Sequence, residues 1–227
     1  MDGLQSPAVG RSPREIVTEQ LIVIGASTPT IVRVVDDLNR IGDRPIRIVG
    51  ALDNAHNELE DEFYGMKILG GFEAIKRFSV NDVMLINTIA SSVASRVETT
   101  RYFLSLGYHF TNIVHPGVNM KYVEMGTGNL IYENALVHPF VKIGSHCVIS
   151  SNAGIAHESS IGDYCFVGPA SYICGKVQIE DEVFIGTGAR VLPRLRVGRR
   201  AQIGACALVT EPVEVGQRVL GIPGRAS

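Results

Sequence analysis

No apolar run in this 227-residue chain approaches the ~20 residues that a bilayer-spanning helix requires, so no membrane partner is expected. Charge of one sign is also lacking. The 21 Lys and Arg residues against 23 Asp and Glu leave a net charge of −2, with no basic excess to suggest nucleic acid. The four cysteines (Cys147, Cys165, Cys174 and Cys206) include no Cys-x-x-Cys pair and have no clustered histidines beside them. They read as reduced, mostly buried thiols of a cytoplasmic protein, with no metal or disulfide set expected. The dinucleotide fingerprint G-x-G-x-x-G is missing, which argues against redox chemistry. The N-terminal stretch "MDGLQSPAVGRSPREIVTEQ" has no apolar segment and reads, over residues 1–19, as a disordered lead-in and not a signal peptide. Histidine disappears from the chain after His157.

What is present has two rhythms. From Gln20 to about residue 116, short apolar runs alternate with helical patterns. "QLIVIGAS", "IRIVGALD", "MKILGG", "VMLINT" and "FTNIVH" read as strands. "TPTIVRVVDDLNRIG" reads as a helix with Thr28 as N-cap, Pro29 at its first position and Gly42 as its stop. A short helix near Phe72 and another over about Ser91 to Leu106 complete the set. This alternation predicts a doubly wound, Rossmann-like parallel sheet, with ligands at the strand ends near Ala26 to Thr28 and Asp53.

From residue 117 to 216 the period becomes six. Ile131, Val137, Ile143, Ile149, Ile155, Ile161, Val167, Ile173, Ile179, Ile185, Val191, Val197, Ile203, Val209 and Val215 follow one another without a break. Two residues before most of them stands a small or β-branched residue, as at Ala135, Cys147, Ala153, Ser159, Cys165, Ser171, Ala189 and Ala207; glycine often follows, as at Gly144, Gly162 and Gly186. Such a repeat predicts a parallel β-helix whose flat strands turn a corner every six residues around a triangular core. Three strands make one coil, and coils pair at ~4.8 Å. Residues 18 apart therefore lie one above the other. His157 stands two residues after the inward Ile155, near a corner, and Gly175 stands beside it on the next coil. An outward imidazole next to an unshielded N–H supplies a base tuned near neutral pH and a donor for an oxyanion. Glu158 is placed to hold the ring's tautomer.

The hexad rhythm resembles the hexapeptide-repeat, left-handed β-helix family. The order "FTNIVHPGV", "NAGIAHESSIGDYCFVGPASYICGKVQI", "IGACALVTEPV" and "VLGIPGR" resembles, more narrowly, the sugar O-/N-acyltransferases of the sialic acid O-acetyltransferase and bacillosamine or perosamine N-acetyltransferase type. The resemblance implies a left-handed β-helix, acetyl-CoA as co-substrate without a metal, a nucleotide-sugar acceptor for polysaccharide biosynthesis, and a homotrimer. It implies His157 as general base with Glu158, and Gly175 as the amide donor. It implies Gly175, Lys176, Thr187, Arg190, Ala205 and Arg225 along CoA, the last within a closing tail of residues 217–227. It also implies Gly25, Ser27, Thr28, Asp53 and Asn54 around the acceptor.

The chain departs from the family pattern at two points. "GASTPT" replaces a glycine-histidine cluster after the first strand, and Phe166 replaces a second histidine nine residues after the base. Ser27 and Thr28 are placed either to bind a phosphate or simply to cap the helix. Basic residues gather late, at Lys176, Arg190, Arg194, Arg196, Arg199, Arg200, Arg218 and Arg225, as a groove for CoA phosphates requires. The expected function is transfer of an acetyl group to the amine of a nucleotide-linked sugar. The alternatives are a sugar O-acetyltransferase and a non-catalytic partner that binds sugar nucleotide. A zinc enzyme would need His138, His146 and His157 to converge, and none of their separations is a multiple of 18.

Overall fold

A computed structural model describes residues 18–26, 28–41, 45–55, 57 and 60–226. The expected lead-in, Ser27 and the Gly42 stop lie outside the described residues. Strand β1 (Glu19–Ile24) leads into helix α1 (Thr30–Ile41), β2 (Ile46–Leu52), β3 (Glu62–Phe63) and β4 (Met66–Gly70). Then come β5 (Met84–Asn87), helix α2 (Val93–Ser105) and β6 (His109–Phe110). The six strands form one sheet in the order β3-β4-β2-β1-β5-β6, parallel except for the β3–β4 edge hairpin. The helical pattern near Phe72 is a single stretch of 3-10 helix, Phe72–Arg77, so two α-helices remain among the described residues. Ser92 caps α2, its Oγ accepting the Ser95 N–H at 3.2 Å. "FTNIVH" does not form one strand. His109–Phe110 closes the first sheet, whereas Ile113–Val114 pairs with Leu130–Ile131 and opens the next.

Beyond that point the hexads wind into three flat parallel sheets that fit a left-handed β-helix. The first face stacks Ile113–Val114, Leu130–Ile131, Val148–Ile149, Phe166–Val167, Phe184–Ile185, Gln202–Ile203 and Arg218–Leu220. The second face stacks Leu136–Val137, Gly154–Ile155, Tyr172–Ile173, Arg190–Val191 and Leu208–Val209. The third stacks Glu124–Met125, Lys142–Ile143, Ser160–Ile161, Gln178–Ile179 and Arg196–Val197. Ile131, Ile149, Ile155, Val167 and Ile185 are completely buried, each worth roughly 1.5–3 kcal/mol against exposure. The small residues two positions earlier are buried too, Cys147, Ala153, Cys165 and Ala189 completely. Gly186 shows why glycine follows: a Cβ there would fall 2.6 Å from the Ala205 nitrogen on the next coil.

The fifteenth hexad position corrects the sequence reading. Val215 is 61% exposed, and Val213 and Val219 fill the core in its place. Val197 bridges Val213, and Ile203 pairs with Val219, so the last coil is two residues short. The thiols also divide more evenly than expected. Cys147 and Cys165 are buried, Cys174 is half-buried and Cys206 is exposed.

The first sheet docks on the first face of the prism. Ile31, Val34 and Val35 of α1 share a core with Ile113, Leu130, Tyr132 and Val148. Arg96 of α2, 1% exposed, donates to the Tyr164 carbonyl at 2.5 Å and the Ile89 carbonyl at 3.3 Å, its guanidinium 6.0 Å from the Phe166 ring centre. Burial pushes its pKa down. This docking leaves the corner between the second and third faces on the opposite side of the prism.

Candidate active site

That far corner presents the same two-residue step on each coil: Lys121–Tyr122, Pro139–Phe140, His157–Glu158, Gly175–Lys176 and Pro193–Arg194. The second residue of every step has a left-handed backbone, with φ between 58° at Glu158 and 64° at Phe140. Interstrand bonds hold the register, with Lys176 N–H donating to the His157 carbonyl at 3.0 Å and Arg194 N–H to the Gly175 carbonyl at 3.1 Å. Pro139 and Pro193 have no N–H to offer. Among the described residues the Gly175 N–H donates to nothing.

The His157 ring is 55% exposed, with Nδ1 3.0 Å from Glu158 Oε1. An ionised carboxylate only accepts, so Nδ1 carries the proton and Nε2 is left as the base. The hydrogen bond from His157 is the main cause holding the Glu158 carboxyl below its ordinary range, and Lys176 Nζ at 3.5 Å adds to it. A Cβ on Gly175 would sit 2.8 Å from His157 Nε2, so the imidazole lies across the glycine in space that any side chain would take. The corner thus holds a tautomer-fixed base beside a bare amide donor, which is the minimum equipment for acyl transfer.

The structure brings His157, Glu158, Gly175 and Lys176 together. Arg190 is exposed on the adjoining second face, and Thr187 and Ala205 fall one face away, on the corner between first and second faces. Arg225 lines a separate cleft of about 500 Å³ with Thr210, Glu211 and Pro223. Of the late basic residues, Arg196 grips Glu180, and Arg199 and Arg200 grip Glu182. Arg190 and Arg194 make no ion pair with a described residue. His138, His146 and His157 do not converge, and among the described residues no group of three His, Cys, Asp or Glu could hold a metal ion.

The remaining candidates lie at the carboxyl ends of β1 and β2. Gly25 has φ +88° and leaves no room for a side chain, because a Cβ would meet Ile89 Cγ1 at 2.8 Å. Both Asp53 oxygens accept backbone N–H groups, Oδ2 from Ala26 at 2.8 Å and Oδ1 from Ala55 at 2.9 Å. Asn54 Oδ1 accepts the Phe72 N–H at 3.0 Å. These two side chains clamp the loops at the sheet's edge. Thr28, with Thr30, Thr88, Tyr132, Ser150 and Phe166, lines a cavity of about 190 Å³ between sheet and prism. Sequence reading missed Tyr132; burial pushes its phenol up, against a hydrogen bond with Thr28. Only its place beside the inward Ile131 hinted at a role.

Residues 158–193 match the family described as bacterial transferase hexapeptide (six repeats), a stretch that begins one residue after His157. The fold defines the class, a mixed, mostly parallel sheet with two α-helices among the described residues, joined to a hexapeptide-repeat β-helix. Among solved structures it is shared with a mutant of perosamine N-acetyltransferase from Caulobacter crescentus in complex with CoA and GDP-perosamine, at 22% identity and a TM-score of 0.80, covering 98% of this chain and 99% of that one. The acetyltransferase domain of PglB from Neisseria gonorrhoeae, in complex with acetyl coenzyme A, is similar at 20% identity and a TM-score of 0.81, covering 93% of this chain and 100% of that one. WeeI from Acinetobacter baumannii is similar at 21% identity and a TM-score of 0.79, covering 93% and 100%. No curated protein matches the sequence significantly.

Proposed function

We propose that this protein is an acetyl-CoA-dependent N-acetyltransferase acting on the amino group of a nucleotide-linked sugar. The observation that carries the reading is the His157 imidazole lying across Gly175 with its Nδ1 held by Glu158. As the sugar amine attacks the thioester carbonyl, His157 Nε2 removes the amine proton and the Gly175 N–H donates to the forming oxyanion. When the tetrahedral centre collapses, the imidazolium returns its proton to the departing CoA thiolate. Lys176 and Arg194, on the following two steps of the corner, favour the CoA phosphates, with Arg190 beside them. The relatives with CoA and GDP-perosamine or acetyl coenzyme A support the same reading. Dependence on acetyl-CoA points to the cytoplasm.

The N-terminal sheet supports a Rossmann-like nucleotide site at the gap between β1 and β5, where the strand order reverses and the Thr28 cavity opens. That gap and the His157 corner lie on opposite sides of one prism, so acceptor and base meet only if a second chain supplies one of them. A homotrimer built around the second face satisfies this. At its outward positions that face has Leu136, Gly154, Tyr172 and Leu208 with one charge, Arg190, whereas the third has Glu124, Lys142 and Arg196. Mass spectrometry after incubation with acetyl-CoA and UDP-, GDP- and dTDP-linked amino sugars tests the reading. Addition of one acetyl group to an amine supports it, addition to a hydroxyl changes it to O-transfer, and an unmodified panel with unspent thioester rejects it.

A further inference from the structure

Two large apolar side chains on the His157 corner face water: Tyr122, 62% exposed, and Phe140, 65% exposed. Their rings stack with centres 6.0 Å apart and planes 26° from parallel, and Lys121 Nζ lies 5.0 Å from the Tyr122 ring centre. Both residues occupy the left-handed corner position, at φ 63° and 64°, which disfavours bulky side chains. At other corners the exposed Asn134, Asn152 and Arg200 take the same position, and the aromatic His146 and Tyr164 take it where they stack on each other beside Phe110. The aromatic pair therefore tolerates a disfavoured backbone and, although the rings stack on each other and beside Lys121, leaves more than half of each residue in water.

Its place on the ladder is specific. Phe140 N–H donates to the Tyr122 carbonyl at 2.8 Å, and Glu158 N–H to the Pro139 carbonyl at 3.4 Å, so the steps form one continuous edge. Phe140 lies one coil, ~4.8 Å, before Glu158, and Tyr122 one coil before that. On the other side of His157 the edge carries two cations, Lys176, shared with Glu158 at 3.5 Å, and Arg194, unpaired among the described residues, against the one lysine, Lys121, beside the rings. An anionic cofactor is drawn to the cationic side, which leaves the aromatic side to the other reactant.

We propose that Phe140 and Tyr122 are the acceptor platform, a specificity-determining pair that rests on the acetyltransferase reading above. The pyranose ring lays its apolar C–H face on Phe140, which aims the amine at His157 Nε2. Lys121, which makes no ion pair with a described residue, meets the anionic glycosyl phosphate beyond Tyr122. Aromatic stacking of this kind carries about tenfold in affinity.

The chain has no tryptophan, so Phe140→Trp installs one on the platform, excited selectively to the red of tyrosine absorption. Its emission should change saturably on titration with GDP-perosamine or another nucleotide amino sugar that the enzyme acetylates, and not with CoA. Phe140→Ala should raise the acceptor KM about tenfold and leave the acetyl-CoA KM in place, with Phe140→Trp restoring it. Light scattering of Phe140→Ala should show an unchanged assembly. An acceptor KM that does not move, an equal rise in the acetyl-CoA KM, or a dispersed assembly (the rings then pack on a second copy) would overturn the platform. If wild type acetylates nothing in the panel, the transfer reading falls, and a saturable emission change of Phe140→Trp with any of those sugars still upholds the platform, its absence rejecting it.

Discussion

At the corner between the third and first faces, the leading amides of three successive steps are each taken by a side chain one coil on. Thr127 N–H donates to Ser145 Oγ, Ser145 N–H to Asp163 Oδ1 and Asp163 N–H to Asp181 Oδ1, at 3.3, 2.7 and 2.9 Å. Arg199 N–H ends the row on Glu180 Oε2 at 2.8 Å. The His157 corner has the same backbone and the same left-handed second residue, but proline or glycine stands where those acceptors and donors would be. One corner is laced by side-chain acceptors, and the other keeps the Gly175 amide unclaimed beside a base. The repeat dictates the path of the chain, and which side chains stand at each corner decides whether that path is inert or reactive.

Substitutions at the two corners should separate along that line. His157→Ala is expected to lower kcat at least about a hundredfold while the melting temperature holds, since a positioned base contributes ~10²–10⁴; steady-state assay with thermal unfolding checks both. Gly175→Ala places a methyl group where the imidazole now lies, and should cost about tenfold to a hundredfold in kcat/KM, again with little change in stability. Asp181→Ala acts on the laced corner. It leaves the Asp163 amide to water, and should cost about 1 kcal/mol in denaturant unfolding with turnover unaffected. A loss of activity in Asp181→Ala matching that of His157→Ala would erase the distinction between the corners.

The period-six register was legible because an inward Ile or Val needs nothing but its spacing, and counting 18 residues from His157 reaches Gly175 directly. The chemistry of that pair was not legible by counting and came from the groups themselves. The short last coil was hidden because Val213, Val215 and Val219 are equally apolar, and only coordinates show which of them turns inward. The left-handed corners were hidden as well, since His146, Tyr164 and Phe140 carry none of the glycine that usually marks such a backbone. Arg96 was invisible because an arginine on a helix reads as solvated, and its burial depends on the carbonyl of Ile89 before the helix and that of Tyr164 across in the prism. Phe140 and Tyr122 resemble core aromatics until the fold leaves them outside.

The final strands carry one more consequence. After Arg218–Leu220 the chain doubles back, and Arg225–Ala226 runs antiparallel against Val219 and Leu220. A prism of identical coils is open at its ends, and each open rim is a template on which another molecule could continue the winding. On the first face a reversed strand covers that rim and breaks the parallel register that a further coil would continue.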